Sequence, residues 1–247
     1  MKTVIIIPAR YKSSRFPGKP LTPILGKPMI IWVAEICAQA LPIESVFVAT
    51  DDLRIKEVVE EAGFKVVMTS EKALTGTDRI AEAANQIDAD IYINVQGDEP
   101  LLDPNDILSI MDAKKKYPNE IINGYCKIGV NENPENLNIP KVIFNENKQM
   151  IYMSRHLIPG AKSKKIKPPS YFKQVCIYAF NKNELSDFVN FGRKGTTEFY
   201  EDIEILRFLD IGSKIRVVET KSSSLAVDAP EDVKKVEEVL LKKMIKK

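Results

Sequence analysis

The 247-residue chain predicts an α/β fold: a doubly wound, mainly parallel (mixed) sheet with a smaller strand-rich subdomain. Two observations carry that prediction. Short apolar runs alternate with helical spacing through the first hundred residues, a βαβ rhythm that requires parallel strands joined by crossover helices. From about residue 121 apolar runs follow one another through turns instead, so 121–181 reads as a strand-rich segment within a single domain spanning 1–247.

The first element is Val4-Ile5-Ile6-Ile7, too short for a membrane span and too uniform for an amphipathic helix, hence a central strand covered on both faces. It empties at Pro8 into Ala9-Arg10-Tyr11-Lys12-Ser13-Ser14-Arg15-Phe16-Pro17-Gly18-Lys19-Pro20. Residues 28–40 carry Met29, Ile30, Val33 and Ile36 at helical spacing, with Trp32 read as core, and 46–49 is a second strand. A charged helix over 54–62 stops at Gly63, 65–68 is a third strand, 78–87 a helix and 91–95 a fourth strand. Residues 142–144 and 150–153 flank a polar turn as a hairpin, and the Lys-, Ser- and Pro-rich stretch 161–170 reads as a flexible loop, a lid or a subunit contact. Helices over 182–191 and 197–210, strands over 214–220 and 225–227, and a helix from Pro230 complete the chain. That last helix ends in Lys242, Lys243, Lys246 and Lys247, which complement its carbonyl-end dipole.

Composition narrows the function. Lys and Arg number 36 against 34 Asp and Glu, a formal charge of +2, far from the basic excess of a nucleic-acid binder. Cys37, Cys126 and Cys176 form no C-x-x-C pair, so neither a disulfide framework nor a zinc site is expected, and a reduced cytoplasm fits. The opening apolar run is too short for a secretory signal or an anchor, so no membrane insertion is expected. The single histidine, His156, argues against histidine clusters and Ser/His/Asp triads, and it reads as a surface or packing residue.

The loop after the first strand holds Arg10, Lys12, Arg15 and Lys19 at the carboxyl end of a sheet, where open α/β folds bind ligands. Scattered cations often only solvate a surface. Here two planar guanidinium forks, the Ser13 and Ser14 donors and the backbone restrictions of Pro17-Gly18 and Pro20 favour a phosphate ligand. Past the fourth strand, Asp98 stands in Gln96-Gly97-Asp98-Glu99-Pro100, and Asp228 stands in Val227-Asp228-Ala229-Pro230-Glu231-Asp232. Each alone reads as a cap, but two such carboxylates together can hold Mg²⁺ against phosphate oxygens. Thr75-Gly76-Thr77-Asp78-Arg79 runs into a helix and suits a base or ribose contact. Neither G-x-G-x-x-G after the first strand nor G-x-x-x-x-G-K-[ST] anywhere is present, which removes dinucleotide-binding dehydrogenases and P-loop NTPases and leaves nucleotidyl transfer.

Seven segments then occur in order: Ile7-Pro8-Ala9-Arg10-Tyr11, Ser14-Arg15-Phe16-Pro17-Gly18-Lys19-Pro20-Leu21, Gly26-Lys27-Pro28-Met29, Val48-Ala49-Thr50-Asp51-Asp52, Thr75-Gly76-Thr77-Asp78-Arg79, Asn94-Val95-Gln96-Gly97-Asp98-Glu99-Pro100 and Val227-Asp228-Ala229-Pro230-Glu231-Asp232. Together they resemble the 3-deoxy-manno-octulosonate (Kdo) cytidylyltransferase family, the CMP-Kdo synthetases. The resemblance implies a nucleotidyltransferase-type fold and Mg²⁺-dependent transfer of CMP from CTP to the anomeric hydroxyl of Kdo or a related acidic 2-keto-3-deoxy sugar. Pyrophosphate is the second product, and bacterial lipopolysaccharide or capsule synthesis the setting. It also implies a homodimer formed through the strand-rich segment.

Carried over by motif, Arg10, Arg15 and Lys19 form a triphosphate clamp assisted by Ser14, while Ala9, Thr77 and Arg79 meet the rest of CTP. Asp98 and Asp228 hold the metal. The sugar falls to Gln96, Lys141, Ser154, Arg155, Gln174, Tyr178, Glu201 and Glu204. Two departures stand in that half. Lys173-Gln174-Val175-Cys176-Ile177-Tyr178 occupies the place where the resemblance leads to Lys-His-Leu-Gly-Ile-Tyr, and Ile203-Glu204-Ile205-Leu206-Arg207 that of Leu-Glu-Gln-Leu-Arg. The CTP half is therefore expected intact and the acceptor half altered. An amino-substituted Kdo is the alternative acceptor, and a catalytically inactive nucleotide-binding regulator the alternative function.

Overall fold

The computed structural model describes residues 1–12, 16–163, 170–221 and 225–245. Strand β1 (Thr3–Ala9) leads through a 3-10 turn at Lys19–Leu21 into a small hairpin, β2 (Pro23–Ile24) and β3 (Lys27–Pro28), and then helix α1 (Met29–Ala40). The alternation continues with β4 (Val46–Thr50), α2 (Leu53–Glu61), β5 (Lys65–Met68), α3 (Gly76–Ala84), β6 (Ile91–Val95) and α4 (Pro104–Lys116). Strands β7 (Ile121–Lys127), β8 (Lys141–Phe144), β9 (Met150–Ser154) and β10 (Phe172–Phe180) follow. Then come α5 (Lys182–Asn190), α6 (Thr196–Glu201), α7 (Leu206–Ile211), β11 (Ile215–Glu219) and α8 (Pro230–Ile245).

The main sheet runs β11-β7-β10-β6-β1-β4-β5, with the β8–β9 hairpin attached through β10. β1 pairs in parallel with β4 and β6, and β4 with β5. β10 lies antiparallel between β6 and β7, so the sheet is mixed as the sequence predicts. Of the strand-rich segment, β7 and β10 enter this sheet and only the β8–β9 hairpin projects from it.

The uniform apolarity of β1 reflects two cores. Val4 and Ile6 face α3, α5 and α7 through Ile80, Phe188 and Phe208, while Ile5 and Ile7 face α1, α2 and α4 through Val33, Ile55 and Ile110. Successive side chains point to opposite faces of a strand, so a strand buried on both sides needs an apolar residue at every position. A third cluster joins α8 to the β2–β3 hairpin through Val236, Leu240, Ile24 and Met29, and it buries Val227. That contact seats the turn containing Asp228.

Several expectations are corrected. The helix expected over 197–210 is two helices, because Asp202 adopts a left-handed conformation (φ 50°) that ends α6. Residues 225–227 form no strand: Val227 makes a backbone bond to the Asp98 carbonyl instead of joining the sheet. Helix α4 was not anticipated, although Asp103 caps it by accepting from the Asn105 N–H, Pro104 opens it, and Ile107 and Ile110 are buried. Trp32 is half-buried at the edge of the third cluster, its indole N–H donating to the Ile24 carbonyl, and His156 is exposed. Most of the predicted loop over 161–170, and Lys246 and Lys247, lie outside the described residues. Among those described, no helix is long and apolar enough to cross a membrane.

Candidate active site

A cleft of about 1170 Å³ opens where β1 and β6 end, walled by the start of α3, by β10, by the α6–α7 connection and by the start of α8. Ala9 and Arg10 enter it directly from β1. Gly18, in the left-handed region at φ 70°, donates to the Tyr11 carbonyl at 2.9 Å, and a Cβ there would lie 3.2 Å from the Tyr11 ring. Gly18 thus packs back on Tyr11, and Lys19 next to it lines the cleft. Lys19 Nζ lies 2.6 Å from Asp98 Oδ2 and donates to the Val227 carbonyl at 3.1 Å. Arg15 and Ser14 lie outside the described residues.

The two acidic turns meet. The Val227 N–H donates to the Asp98 carbonyl at 3.0 Å, and Asp228, the next residue, is exposed along the same cleft. Gly97 permits the Asp98 turn: a Cβ there would sit 3.0 Å from the Pro8 carbonyl oxygen and 3.2 Å from Ile30 Cδ1. The donor set of Asp98 and Asp228 is all oxygen, which suits Mg²⁺. Among the described residues no group of three or more acid, His or Cys side chains could enclose a metal alone.

Helix α3 forms the opposite wall. Thr75 and Asp78 build a reciprocal capping box at its start, and Gly76 lies beside the Gln96 amide. Arg79 lines the cleft, pinned by Asp51 at 3.3 Å and by the Thr69 hydroxyl; burial, with the Arg10 charge nearby, lowers its pKa. Thr77 is instead buried, its N–H 3.2 Å from Glu204 Oε2 and its hydroxyl also serving that carboxylate. Its expected contact with CTP becomes support for Glu204. Asp78 continues into a buried network: the Arg207 guanidinium forks onto Asp78 (2.9 and 3.3 Å) and onto Glu198 (2.7 and 2.8 Å).

At the far end, Gln96, Gln174, Tyr178, Arg155 and Glu204 all line the cleft. Gln96 Nε2 donates to Glu204 Oε1 at 3.3 Å, and Gln174 Nε2 donates to the Tyr178 hydroxyl at 2.9 Å. Glu204 forms no ion pair with a described Lys or Arg, and burial raises its pKa against the hydrogen bonds from Thr77 and Thr75. Burial also pushes up the Cys176 thiol and the Tyr178 hydroxyl. Gln174, Cys176 and Tyr178 share one face of β10, where a bulge between Val175 and Tyr178 breaks the register with β7.

Three expected sugar contacts do not line the cleft. Lys141 is fully buried and donates to the Asn136 carbonyl at 3.0 Å and to the Arg155 carbonyl, and desolvation lowers its pKa. The Ser154 hydroxyl donates to Glu201 Oε1 at 2.6 Å, and the Arg155 N–H donates to Glu201 Oε2 at 2.8 Å. Glu201, Ser154 and Lys141 therefore brace Arg155 and the β8–β9 hairpin. Ile205, expected as a lost polar contact, is 1% exposed within the core and does not line the cleft. Conversely, Glu99, Lys173 and Lys194 line the cleft without having been singled out. Lys173 adjoins Gln174, and Lys194 stands in the Gly192-Arg193-Lys194-Gly195 loop, two signals that could have drawn notice.

A family model described as cytidylyltransferase matches residues 4–215. The chain belongs to the cytidylyltransferase family. This cytidylyltransferase is 40% identical over 246 residues to the 8-amino-3,8-dideoxy-manno-octulosonate cytidylyltransferase of Shewanella baltica, covering 97% of this chain and 99% of that one. It is 41% identical, with the same coverage, to the protein of that name in Shewanella oneidensis. Among solved structures it is similar to CMP:2-keto-3-deoxy-manno-octonic acid synthetase complexed with CTP, at TM-score 0.91 and 36% identity, covering 98% of this chain and all of the other. A cytidylyltransferase of Leptospira borgpetersenii, at TM-score 0.64 and 19% identity over 96% of this chain and 85% of that one, shares the fold.

Proposed function

We propose that this cytidylyltransferase transfers CMP from CTP to the anomeric hydroxyl of 8-amino-3,8-dideoxy-manno-octulosonate, a Kdo-like acidic sugar, and releases pyrophosphate. The observation that carries the transfer reading is the meeting of the two acidic turns over Lys19, in a cleft that continues to Gln174 and Tyr178. For the acceptor, support comes from the Shewanella relatives and from Gln174 and Cys176, departures in the sugar half that line the cleft. Unsubstituted Kdo is the second reading, supported by the likeness to the solved synthetase.

In this reading the acceptor oxygen bonds to the α-phosphorus as the α–β phosphoanhydride bond breaks, pyrophosphate leaves, and the hydroxyl proton passes to solvent. Lys19 and Arg10 sit where phosphate charge gathers, and a positioned cation stabilises the leaving group without covalent chemistry by the protein. Asp98 and Asp228 would hold Mg²⁺, which when bound neutralises phosphate oxygens and eases deprotonation of the acceptor hydroxyl. Glu204, held by Gln96 and Thr77, and the Gln174–Tyr178 pair orient the sugar. A homodimer through the strand-rich region is part of the proposal, supported by Ile151 and Leu137, which stand exposed there.

The test is pyrophosphate release from CTP across 8-amino-3,8-dideoxy-manno-octulosonate, Kdo and an aldose 1-phosphate. Turnover with the first two sugars and highest kcat/KM for the amino sugar is expected. Preference for the aldose 1-phosphate would refute the reading, and CTP binding without turnover on any acceptor would indicate a regulator.

A further inference from the structure

We propose that Asn123 is a positioning residue for the acceptor end of the cleft: its carboxamide, with Gly124 beside it, holds a two-residue bulge in β10 that brings Gln174 and Tyr178 together. The role in turnover rests on the cytidylyl-transfer reading above; the bulge itself does not.

Asn-Gly is a preferred pair for two-residue hairpin turns, yet Asn123-Gly124 lies in the middle of β7, buried, and pairs with a strand on each side. The pairing explains its place there. Gly124 stands opposite Val175 and Asn123 opposite Tyr178, so Cys176 and Ile177 face no residue of β7. That excess frees backbone carbonyls inside the sheet, where an unpartnered one is costly. Asn123 supplies the donors: its Nδ2 donates to the Val175 carbonyl at 3.0 Å and to the Ile177 carbonyl at 3.2 Å. Gly124 supplies the space. A Cβ there would lie 2.7 Å from Ile177 Cγ2 and 3.3 Å from Val175 Cβ, so a larger residue would press on the bulge.

The bulge acts on the cleft. From Ile177 onward β10 keeps a regular ladder with β6, so the bend falls between that fixed part and Gln174. Four residues of flat strand span about 13 Å, a distance that side chains standing upright on it do not bridge. Gln174 Nε2 nevertheless donates to the Tyr178 hydroxyl at 2.9 Å, and both residues line the cleft with Cys176 between them. Bulges bend a strand and re-aim its side chains, and here the bend closes that span. Asn123 itself is fully buried and does not line the cleft, so it acts only through β10.

The test is steady-state kinetics with 8-amino-3,8-dideoxy-manno-octulosonate and with Kdo, alongside melting temperatures, for the wild type, Asn123→Leu, Gly124→Ala and the pair Gly124→Ala, Ile177→Ala. Asn123→Leu keeps the volume and loses both donors. Its kcat/KM for the acceptor should fall about 10²-fold, the cost of a misplacement of about 1 Å, with the CTP KM unchanged. Gly124→Ala should do the same. Adding Ile177→Ala removes the clashing Cγ2 and should recover most of the acceptor KM, although it opens a cavity and lowers the melting temperature further. A purely structural role would tie activity to melting temperature instead. An unchanged acceptor KM in Asn123→Leu, acceptor and CTP KM rising together, or no recovery in the double variant would overturn the role of Asn123. Hydrogen exchange at residues 174–178 reads the bulge without turnover: it should quicken in Asn123→Leu, and unchanged protection would overturn the proposal. A wild type that turns over neither sugar would refute the transfer reading and leave that exchange measurement standing.

Discussion

Arg207→Leu removes the cation from a buried network and leaves two carboxylates facing each other. Arg207 is 1% exposed and makes four hydrogen bonds of 2.7–3.3 Å, a fork to Asp78 and a fork to Glu198, with its guanidinium 3.8 Å from the Phe188 ring centroid. Removing one partner of a buried ion pair costs about 3–5 kcal/mol, because the remaining charge keeps its desolvation cost without its attraction. At about 2–4 °C per kcal/mol for a chain of this size, the melting temperature should fall by about 6–20 °C. Equilibrium urea unfolding followed by far-ultraviolet circular dichroism reads the loss directly. Asp78 also closes the capping box of α3, whose first turn walls the cleft, so the KM for CTP should rise as well. Arg207→Lys should fall between, since an ammonium keeps the charge but not both forks. The triple variant Arg207→Leu, Asp78→Asn, Glu198→Gln should regain part of the loss because no charge is left alone. An Arg207→Leu protein within about 1 kcal/mol of wild type would refute the reasoning.

Lys19→Met should lower kcat about 10²–10³-fold while the far-ultraviolet spectrum is unchanged, the cost of one preorganised charged donor; loss below tenfold would place Lys19 outside the reaction. Glu204→Gln should trade activity for stability. Burial raises the folded-state pKa of Glu204, so its contribution is greatest below the unfolded carboxylate pKa and is lost as pH rises through the folded value. The stability advantage of the Gln variant should therefore grow from pH 4 to neutrality in urea titrations, with reduced turnover; a constant difference across pH would contradict it. Ile205→Gln should cost about 1–3 kcal/mol for an unpaired buried amide and leave the sugar preference unchanged; a changed preference would return Ile205 to the site.

Much of the fold was legible because burial on two faces writes itself into β1 as an uninterrupted apolar run, and because Gly63 and Pro230 mark helix ends. The break at Asp202 was not, since an aspartate in the left-handed region carries no local signature beyond its modest tolerance for it. That break also turns Ile205 into the core, which explains why a motif departure looked like a ligand contact. That Lys19, Asp98 and Asp228 would share one cleft was legible because strand ends and tight turns leave Gly and Pro markers. Lys141, Ser154 and Glu201 were misplaced because Lys, Ser and Glu serve backbone carbonyls and amides as readily as ligands, and only packing decides between them. The Asp78–Arg207 pair joins residues 129 apart in sequence, and no local pattern announces such a partner.

The most direct test is competition. Equimolar Kdo and 8-amino-3,8-dideoxy-manno-octulosonate are presented together with limiting CTP and Mg²⁺, and the nucleotide sugars are resolved by mass spectrometry, so the product ratio reports the ratio of kcat/KM values. The CMP-linked amino sugar should predominate. A predominance of CMP-Kdo, or the absence of both products, would contradict the account.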